Sequence, residues 1–252
     1  MASETSRSEA FAPYDEIMVD WEARLRRESA MYQRIFQSVH AKRVLDAACG
    51  PGRRAALFAR WGMEVSAGDT SPALVERATG QGAKVEVRQA SIDEVSRVFP
   101  TPFDAVICMG NSLSAAGKRA TVAAGIAEFY QATRPGGTVV LEVLNYELFA
   151  PGESVYAEPL ARTALGQNYI FLKMFRRAGT SCDLDTVVLQ QGASETWSRT
   201  VFKEKLLVLD EAALVEMVEK AGYGKIMLYG GPDMAPFDRK KSENLIVVAR
   251  KE

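Results

Sequence analysis

The sequence predicts a doubly wound α/β sheet interrupted by an antiparallel insertion, and three observations carry this reading. Short β-branched apolar runs alternate with helix-like segments over residues 43–144, as strands buried on both faces of a parallel sheet do. The first of these runs breaks into a glycine-bearing turn, VLDAACGPGRR at 44–54. After Tyr146 the rhythm changes to longer strand-like stretches joined by polar or glycine-bearing turns.

Taken in order, residues 1 to about 12 are polar and read as a frayed end. From Asp20 to about Val39, Trp21, Leu25, Met31, Ile35 and Phe36 recur at near-helical intervals among arginines and glutamates, which predicts an amphipathic helix. RVLDAA (43–48), MEVSAGD (63–69), KVEVR (84–88), FDAVICM (103–109) and GTVVLEVL (137–144) are five strands. Between them, RRAALFARWG (53–62) follows the glycine turn, and SPALVERATG (71–80) opens on Ser-Pro and closes on glycine. KRATVAAGIAEFYQATR (118–134) sets Val122, Ile126, Phe129 and Tyr130 on one helical face. QNYIFLKMFRR (167–177), CDLDTVVLQQ (182–191) and TWSRTVFKEKLLVL (196–209) form the antiparallel insertion. Asp210 caps a last helix that Gly222 ends, and YGKIMLY and NLIVVARK supply the sixth and seventh strands.

Composition narrows the functional class. The 252 residues are 47% hydrophobic and 25% charged with a net charge of −1, a soluble globule without the basic footprint of a nucleic-acid binder. Cys49, Cys108 and Cys182 are odd in number and far apart, which fits reduced thiols in a cytoplasm better than a disulfide framework or a metal site. The start MASETSRSEAFAPYDE has no apolar stretch, and no segment approaches the roughly 18 apolar residues of a spanning helix. A cytoplasmic protein with no membrane, nucleic-acid or metal partner is expected, its oligomeric state left open.

In an open parallel sheet, ligands settle beyond the carboxyl ends of the strands near the point where strand order reverses. Gly50 and Gly52 let backbone approach a ligand there, and the helix from Arg53 turns its free N–H groups toward it. Asp69 ends the next strand about twenty residues on, where a carboxylate accepts from both hydroxyls of a ribose. The pair points to an adenosine-bearing cofactor. The competing reading is a tight turn plus an acid capping the helix near Ser71. A nicotinamide cofactor prefers G-x-G-x-x-G, and the stretch from Ala48, A-C-G-P-G-R, matches only at its third residue.

VLDAACGPG resembles the first motif of the class I S-adenosylmethionine-dependent methyltransferases, as do FDAVICMGNSL and RPGGTVVLEV at the fourth and fifth strands. The resemblance implies the Rossmann-like seven-stranded fold of that class and S-adenosyl-L-methionine as cofactor. It implies cofactor contacts at Ala48, Gly50, Asp69, Thr70, Ser91, Ile92, Met109, Gly110 and Asn111, with Asp69 on the ribose and Ile92 over the adenine. Ala48 stands where the family more often has glycine, which requires a negative φ there. CMGNSL, VLNYELF and the leading APYDEIMVDWEARLRRE look most like the glycine and sarcosine N-methyltransferase subgroup. In that subgroup the leading arm reaches the amino-acid end of the cofactor, which implies Tyr14, Arg24 and the neighbouring Trp21.

The same resemblance frames the acceptor. Relatives acting on glycine carry an arginine directly before Asn-Tyr to grip the carboxylate, and this chain has Leu144. The expected acceptor is therefore a larger or less anionic small molecule, most simply an amine, with Arg162 or Arg199 as the replacement if a carboxylate is present. Asn111 and Tyr146 are the candidate catalytic residues that orient it. His40, the single histidine, precedes the first strand and is assigned no role, which favours N-methylation over base-assisted O-methylation. The alternatives are a small-molecule O-methyltransferase, an NAD-dependent oxidoreductase, or a domain that binds the cofactor without turnover. The expected organisation is an N-terminal arm over residues 1–40, a cofactor-binding core over 41–149 and 210–252, and a lid over 150–209.

Overall fold

The computed structural model of the protein describes residues 7–82, 84–192 and 196–252. From the N-terminus, α1 (Arg7–Met18) and α2 (Trp21–Ser38) precede β1 (Arg43–Asp46), α3 (Arg53–Arg60), β2 (Glu64–Asp69), α4 (Pro72–Thr79) and β3 (Val85–Gln89). The short α5 (Val95–Val98), β4 (Phe103–Cys108), the one-turn α6 (Ser112–Ala115), α7 (Arg119–Ala132) and β5 (Thr133–Leu144) follow. Then come β6 (Ser154–Tyr156), β7 (Leu160–Ala164), β8 (Gln167–Ala178), β9 (Ser181–Gln191) and β10 (Trp197–Leu207), before α8 (Glu211–Ala221), β11 (Tyr223–Tyr229) and β12 (Asn244–Lys251).

Seven strands form one sheet in the order β3-β2-β1-β4-β5-β12-β11. The pairings from β3 to β5 are parallel, and β12 runs antiparallel to both β5 and β11. Strand order reverses between β1 and β4, where a doubly wound sheet opens its crevice beyond the strand ends. The apolar runs become strands because both faces are covered. Val122, Ile126 and Phe129 of α7 with Leu214 and Val218 of α8 pack on one face. Met31, Tyr32, Ile35 and Phe36 of α2 pack on the other, with the Tyr32 and Phe36 rings each 5.0 Å from Phe58 of α3.

Helix ends follow their capping chemistry. Asp20 accepts from Ala23 N–H at 3.0 Å, Asp210 accepts from Ala213 N–H at 2.9 Å, and Gly222 closes α8 at φ +106°. Ser71 caps α4 with Pro72 in its first turn.

Two expectations are corrected. Residues 7–12 belong to α1 rather than to a frayed end, and residues 1–6 lie outside the described residues. Phe11 and Ala12 are buried because tertiary contacts tie this helix down. The Phe11 ring meets Phe202 edge-on at 5.1 Å, Tyr14 lies 5.6 Å from Phe202 and 6.4 Å from Tyr169, and Arg77 donates to the Ala12 carbonyl. The second correction is that the insertion holds five strands rather than three. β10-β9-β8-β6 form an antiparallel sheet with β7 also paired to β8. SVY and LARTA are too short to show a period of two, and only their pairing with β8 makes them strands. Among the described residues no helix is long and apolar enough to cross a membrane.

Candidate functional site

The turn after β1 is built by two glycines with different tasks. Gly52 sits at φ +75°, where a Cβ would fall 2.7 Å from the Ala78 Cβ, so its smallness lets α3 pack on α4. Gly50 sits at φ +55°, and a Cβ there would meet nothing within 4 Å, so this residue faces open space. Ala48 keeps a negative φ, as its methyl requires. Gly50 N–H donates to one Asp69 oxygen at 2.9 Å and Ser71 N–H donates to the other at 3.0 Å. Burial raises the Asp69 carboxyl, against these backbone donors that favour its charged form. Asp69 does not cap α4, because Ser71 does.

A cleft of about 600 Å³ opens against this turn. Ala48, Gly50, Asp69, Thr70, Ser91 and Ile92 border it together, so six of the expected cofactor residues converge from three strand ends. Ile92 is fixed from behind by α7, where a Cβ on Gly125 would come within 2.9 Å of it. The Ser91 hydroxyl donates to Asp93 and its N–H to Glu94 at 2.8 Å, a reciprocal cap on the turn that carries Ile92. Asp15 of α1, Ser112 and Ala115 of α6, and Glu204 of β10 complete the rim.

The remaining expected residues lie beside the cleft rather than on its lining. Met109 is buried at the end of β4, and Gly110 and Asn111 follow at φ +73° and +68°. Gly110 N–H donates to Glu142 at 2.8 Å. The Asn111 side chain donates to the Tyr146 hydroxyl at 3.0 Å and accepts from Leu144 N–H at 3.0 Å, which ties the β4 loop to the end of β5. Tyr146 is 1% exposed, and burial pushes its hydroxyl up to about 12. Tyr14 stands in the aromatic cluster between α1 and the second sheet.

Arg24 belongs to a buried charge cluster that the sequence reading did not identify. Glu28 accepts from Arg24 at 2.7 Å, from Tyr32 at 3.1 Å and twice from Arg54 at 2.9 and 3.3 Å. Arg24 also reaches Glu142 at 3.4 Å, and Trp21 lies 5.6 Å from Arg24 and 5.4 Å from Arg54. Burial acts to raise the Glu28 carboxyl, yet Arg54 and Arg24 outweigh it and hold it at about 2. Asp46, at the end of β1, is fully buried, and among the described residues neither of its oxygens has a hydrogen-bond partner. Burial pushes it up to about 7, with Arg54 opposing. One signal was legible: an acid inside the apolar run VVLEVL, Glu142. Glu28 and Arg54 offered none, since charges at helical spacing usually face solvent.

The cysteines and the histidine add no reactive group. Burial raises the Cys49 and Cys108 thiols, and a neutral thiol is a poor nucleophile. His40 is exposed at φ +50° before β1, on the far side of the sheet from the cleft-bordering strand ends.

Comparison with known proteins agrees with this architecture. A methyltransferase domain model matches residues 44–137. The chain is 28% identical over 155 residues to the glycine/sarcosine N-methyltransferase of Parasynechococcus marenigrum (strain WH8102), covering 60% of this chain and 55% of that protein. It is 32% identical over 117 residues to the ubiquinone biosynthesis O-methyltransferase of Xylella fastidiosa (strain M23), covering 45% and 46%. The chain thus spans about half the length of the curated relatives it matches. The solved structure of SAM-bound CalS10, an amino pentose methyltransferase from Micromonospora echinaspora, superposes with a TM-score of 0.77 at 20% identity over 96% of each chain. Domain, relatives and fold point the same way: residues 44–137 match a methyltransferase domain, and the seven-stranded sheet has the Rossmann-like fold of the class I S-adenosylmethionine-dependent methyltransferases.

Proposed function

We propose that this protein transfers a methyl group from S-adenosylmethionine to the nitrogen of a small-molecule amine that lacks a carboxylate. The lining of the cleft carries the reading. Asp15 of α1 and Glu204 of β10 border it apart from Asp69, which this reading assigns to the ribose, and no lysine, arginine or histidine is among the described residues that do. Such a wall attracts an ammonium group and offers a carboxylate no partner. Leu144 stands where glycine-methylating relatives have their carboxylate-gripping arginine, and neither Arg162 nor Arg199 borders the cleft.

Two features of the protein fit the cofactor: the open space against Gly50, and the partnerless buried carboxylate of Asp46. When bound, S-adenosylmethionine supplies a methyl group on a positively charged sulfur. In this reading Asp69, oriented by Gly50 and Ser71, keeps lone pairs for the ribose hydroxyls. Thr70 lies beside it, Ser91 and Ile92 would hold the adenine, and the Ala48–Gly50 backbone would hold the sugar and sulfur. Tyr14, Trp21, Arg24, Met109 and Gly110, beside the cleft, would hold the amino-acid end. Asn111 and Tyr146 act as positioning residues, because their polar atoms are spent on bracing the β4 loop against β5. The insertion over 150–209 serves as a lid, bringing Glu204 to the rim.

Displacement at a sulfonium carbon needs a neutral nucleophile held in line, so orientation supplies much of the acceleration. An amine meets that demand without a strong base. The O-methyltransferase relatives favour a second reading, a hydroxyl acceptor, which calls for a base that exposed His40 does not provide.

Incubation with methyl-labelled S-adenosylmethionine and a panel of amines, phenols and amino acids tests the proposal. The expected result is label in a carboxylate-free amine with release of demethylated cofactor. Transfer only to phenols overturns the nitrogen assignment, and cofactor binding without turnover on any class marks a binding domain.

A further inference from the structure

Resting on the proposed amine methylation, we infer that Asp15 of α1 is the specificity-determining residue that receives the acceptor's amino group beside the methyl to be transferred. The cleft border divides in two. Ala48, Gly50, Asp69, Thr70, Ser91 and Ile92 form the part that the cofactor reading fills with the nucleoside. A second part comes from α1, α6, α7 and β10, where apolar and hydroxyl side chains surround two acids, Asp15 and Glu204.

The three acids on the cleft differ in what already holds them. Asp69 takes a backbone N–H on each oxygen, and Glu204 already has a partner. Asp15 has no hydrogen bond or ion pair on its carboxylate among the described residues. Charged groups act on it only through space: Arg24 of α2, Arg54 of α3 and Lys173 of β8 favour its charged form, and Glu16 opposes it. Arg24 is bonded to Glu28 and Glu142, and Arg54 to Glu28. The helix is fixed with Asp15 on the cleft side. Phe11, Ala12 and Asp15 border the cleft from one face of α1, while Glu16 accepts from Arg53 Nε at 3.1 Å and Arg77 donates to the Ala12 carbonyl.

A carboxylate largely withdrawn from water and given no donor is incomplete, and burial accordingly raises the Asp15 carboxyl. An alkylammonium brings the missing positive charge and up to three N–H donors. A hydroxyl brings one donor and no charge, and a carboxylate brings repulsion, so this residue selects amines from both. Once R–NH3+ has passed one proton to solvent, the neutral R–NH2 still donates N–H to the same carboxylate. Its lone pair is then free to face the methyl.

Titration calorimetry of the full chain near neutral pH tests this without knowledge of the natural acceptor. One probe is S-adenosylhomocysteine; the other is sinefungin, a cofactor analogue with an amine-bearing carbon in place of the methyl-bearing sulfur. Wild type should bind sinefungin about 10- to 100-fold more tightly, the range of a charge-assisted hydrogen bond. Asp15→Asn should abolish that preference and leave S-adenosylhomocysteine affinity unchanged, while Glu204→Gln should retain it. Asp15→Ser gives the same readout if the amide variant does not fold. Equal affinities in wild type, a preference that survives loss of Asp15, or a preference lost in Glu204→Gln overturns the inference. Weakened S-adenosylhomocysteine binding in Asp15→Asn, or equal losses for S-adenosylmethionine and sinefungin, would tie Asp15 to the cofactor rather than the acceptor and overturn it as well. Failure of both analogues to bind wild type overturns the cofactor reading itself.

Discussion

Two buried acids a short distance apart have opposite fates. In the cluster under α2, Glu28 is 3% exposed and accepts four hydrogen bonds from Arg24, Arg54 and Tyr32. At the end of β1, Asp46 is 0% exposed and accepts none from the described residues. The first is held near 2 and the second is pushed to about 7. Burial is common to both, so partners alone decide the charge. Glu28 is complete within the chain and holds α2 against α3. Asp46 is incomplete, and it stands where the cleft meets the turn.

The largest effect is expected where completeness is broken. Glu28→Gln leaves Arg54 buried without its counter-charge and should cost about 3–5 kcal/mol of stability in denaturant titration. A loss below 1 kcal/mol would mean the arginines find other partners and the contrast is false.

Next comes the pH dependence of the unliganded protein. The folded carboxyl of Asp46 is raised from 3.8 to about 7, so its protonation contributes stability at low pH that is lost as pH rises through 7. Between pH 5 and 8 the wild type should lose about 2–3 kcal/mol relative to Asp46→Asn, which cannot titrate. Glu28 has the opposite sign, contributing stability above its ordinary value of 4.5 that is lost only as pH falls toward 2, so it leaves that window undisturbed. Parallel pH profiles for the two proteins would show that the Asp46 carboxyl does not titrate between pH 5 and 8.

Asp69 lies between the extremes, with one backbone N–H on each oxygen. Asp69→Ala should weaken binding of S-adenosylhomocysteine by about 1–3 kcal/mol in calorimetry. Unchanged affinity would show that the ribose is held elsewhere. The smallest effect sharpens the comparison to a neutral donor: Tyr146→Phe deletes the hydroxyl that meets Asn111 and should cost about 0.5–1.5 kcal/mol in thermal unfolding.

Part of the cleft lining was legible before the structure. Gly50, Asp69 and Ile92 stand at strand ends, and a strand end is marked in the sequence by where an apolar run stops. Trp21 and Arg24 were read as reaching the cofactor, yet their packing partners, Arg54 and Glu142, come from α3 and β5 and carry no local mark. Asn111 and Tyr146 were read as orienting the acceptor. Their hydrogen bonds join two strand ends, a closure that depends on β4 and β5 being neighbours. Phe11 looked like part of a polar tail because its partner Phe202 is far away along the chain.

By itself the sequence determined the order of strands and helices, the glycine turn, the acid that ends the second strand and the long strands of the insertion, because each depends on residues within a few positions of one another. The tertiary structure alone decided which charges are buried, which of them are satisfied, and where α1 docks. Those outcomes depend on the sum of desolvation and long-range contacts at a point in space, and a linear pattern does not encode that sum locally.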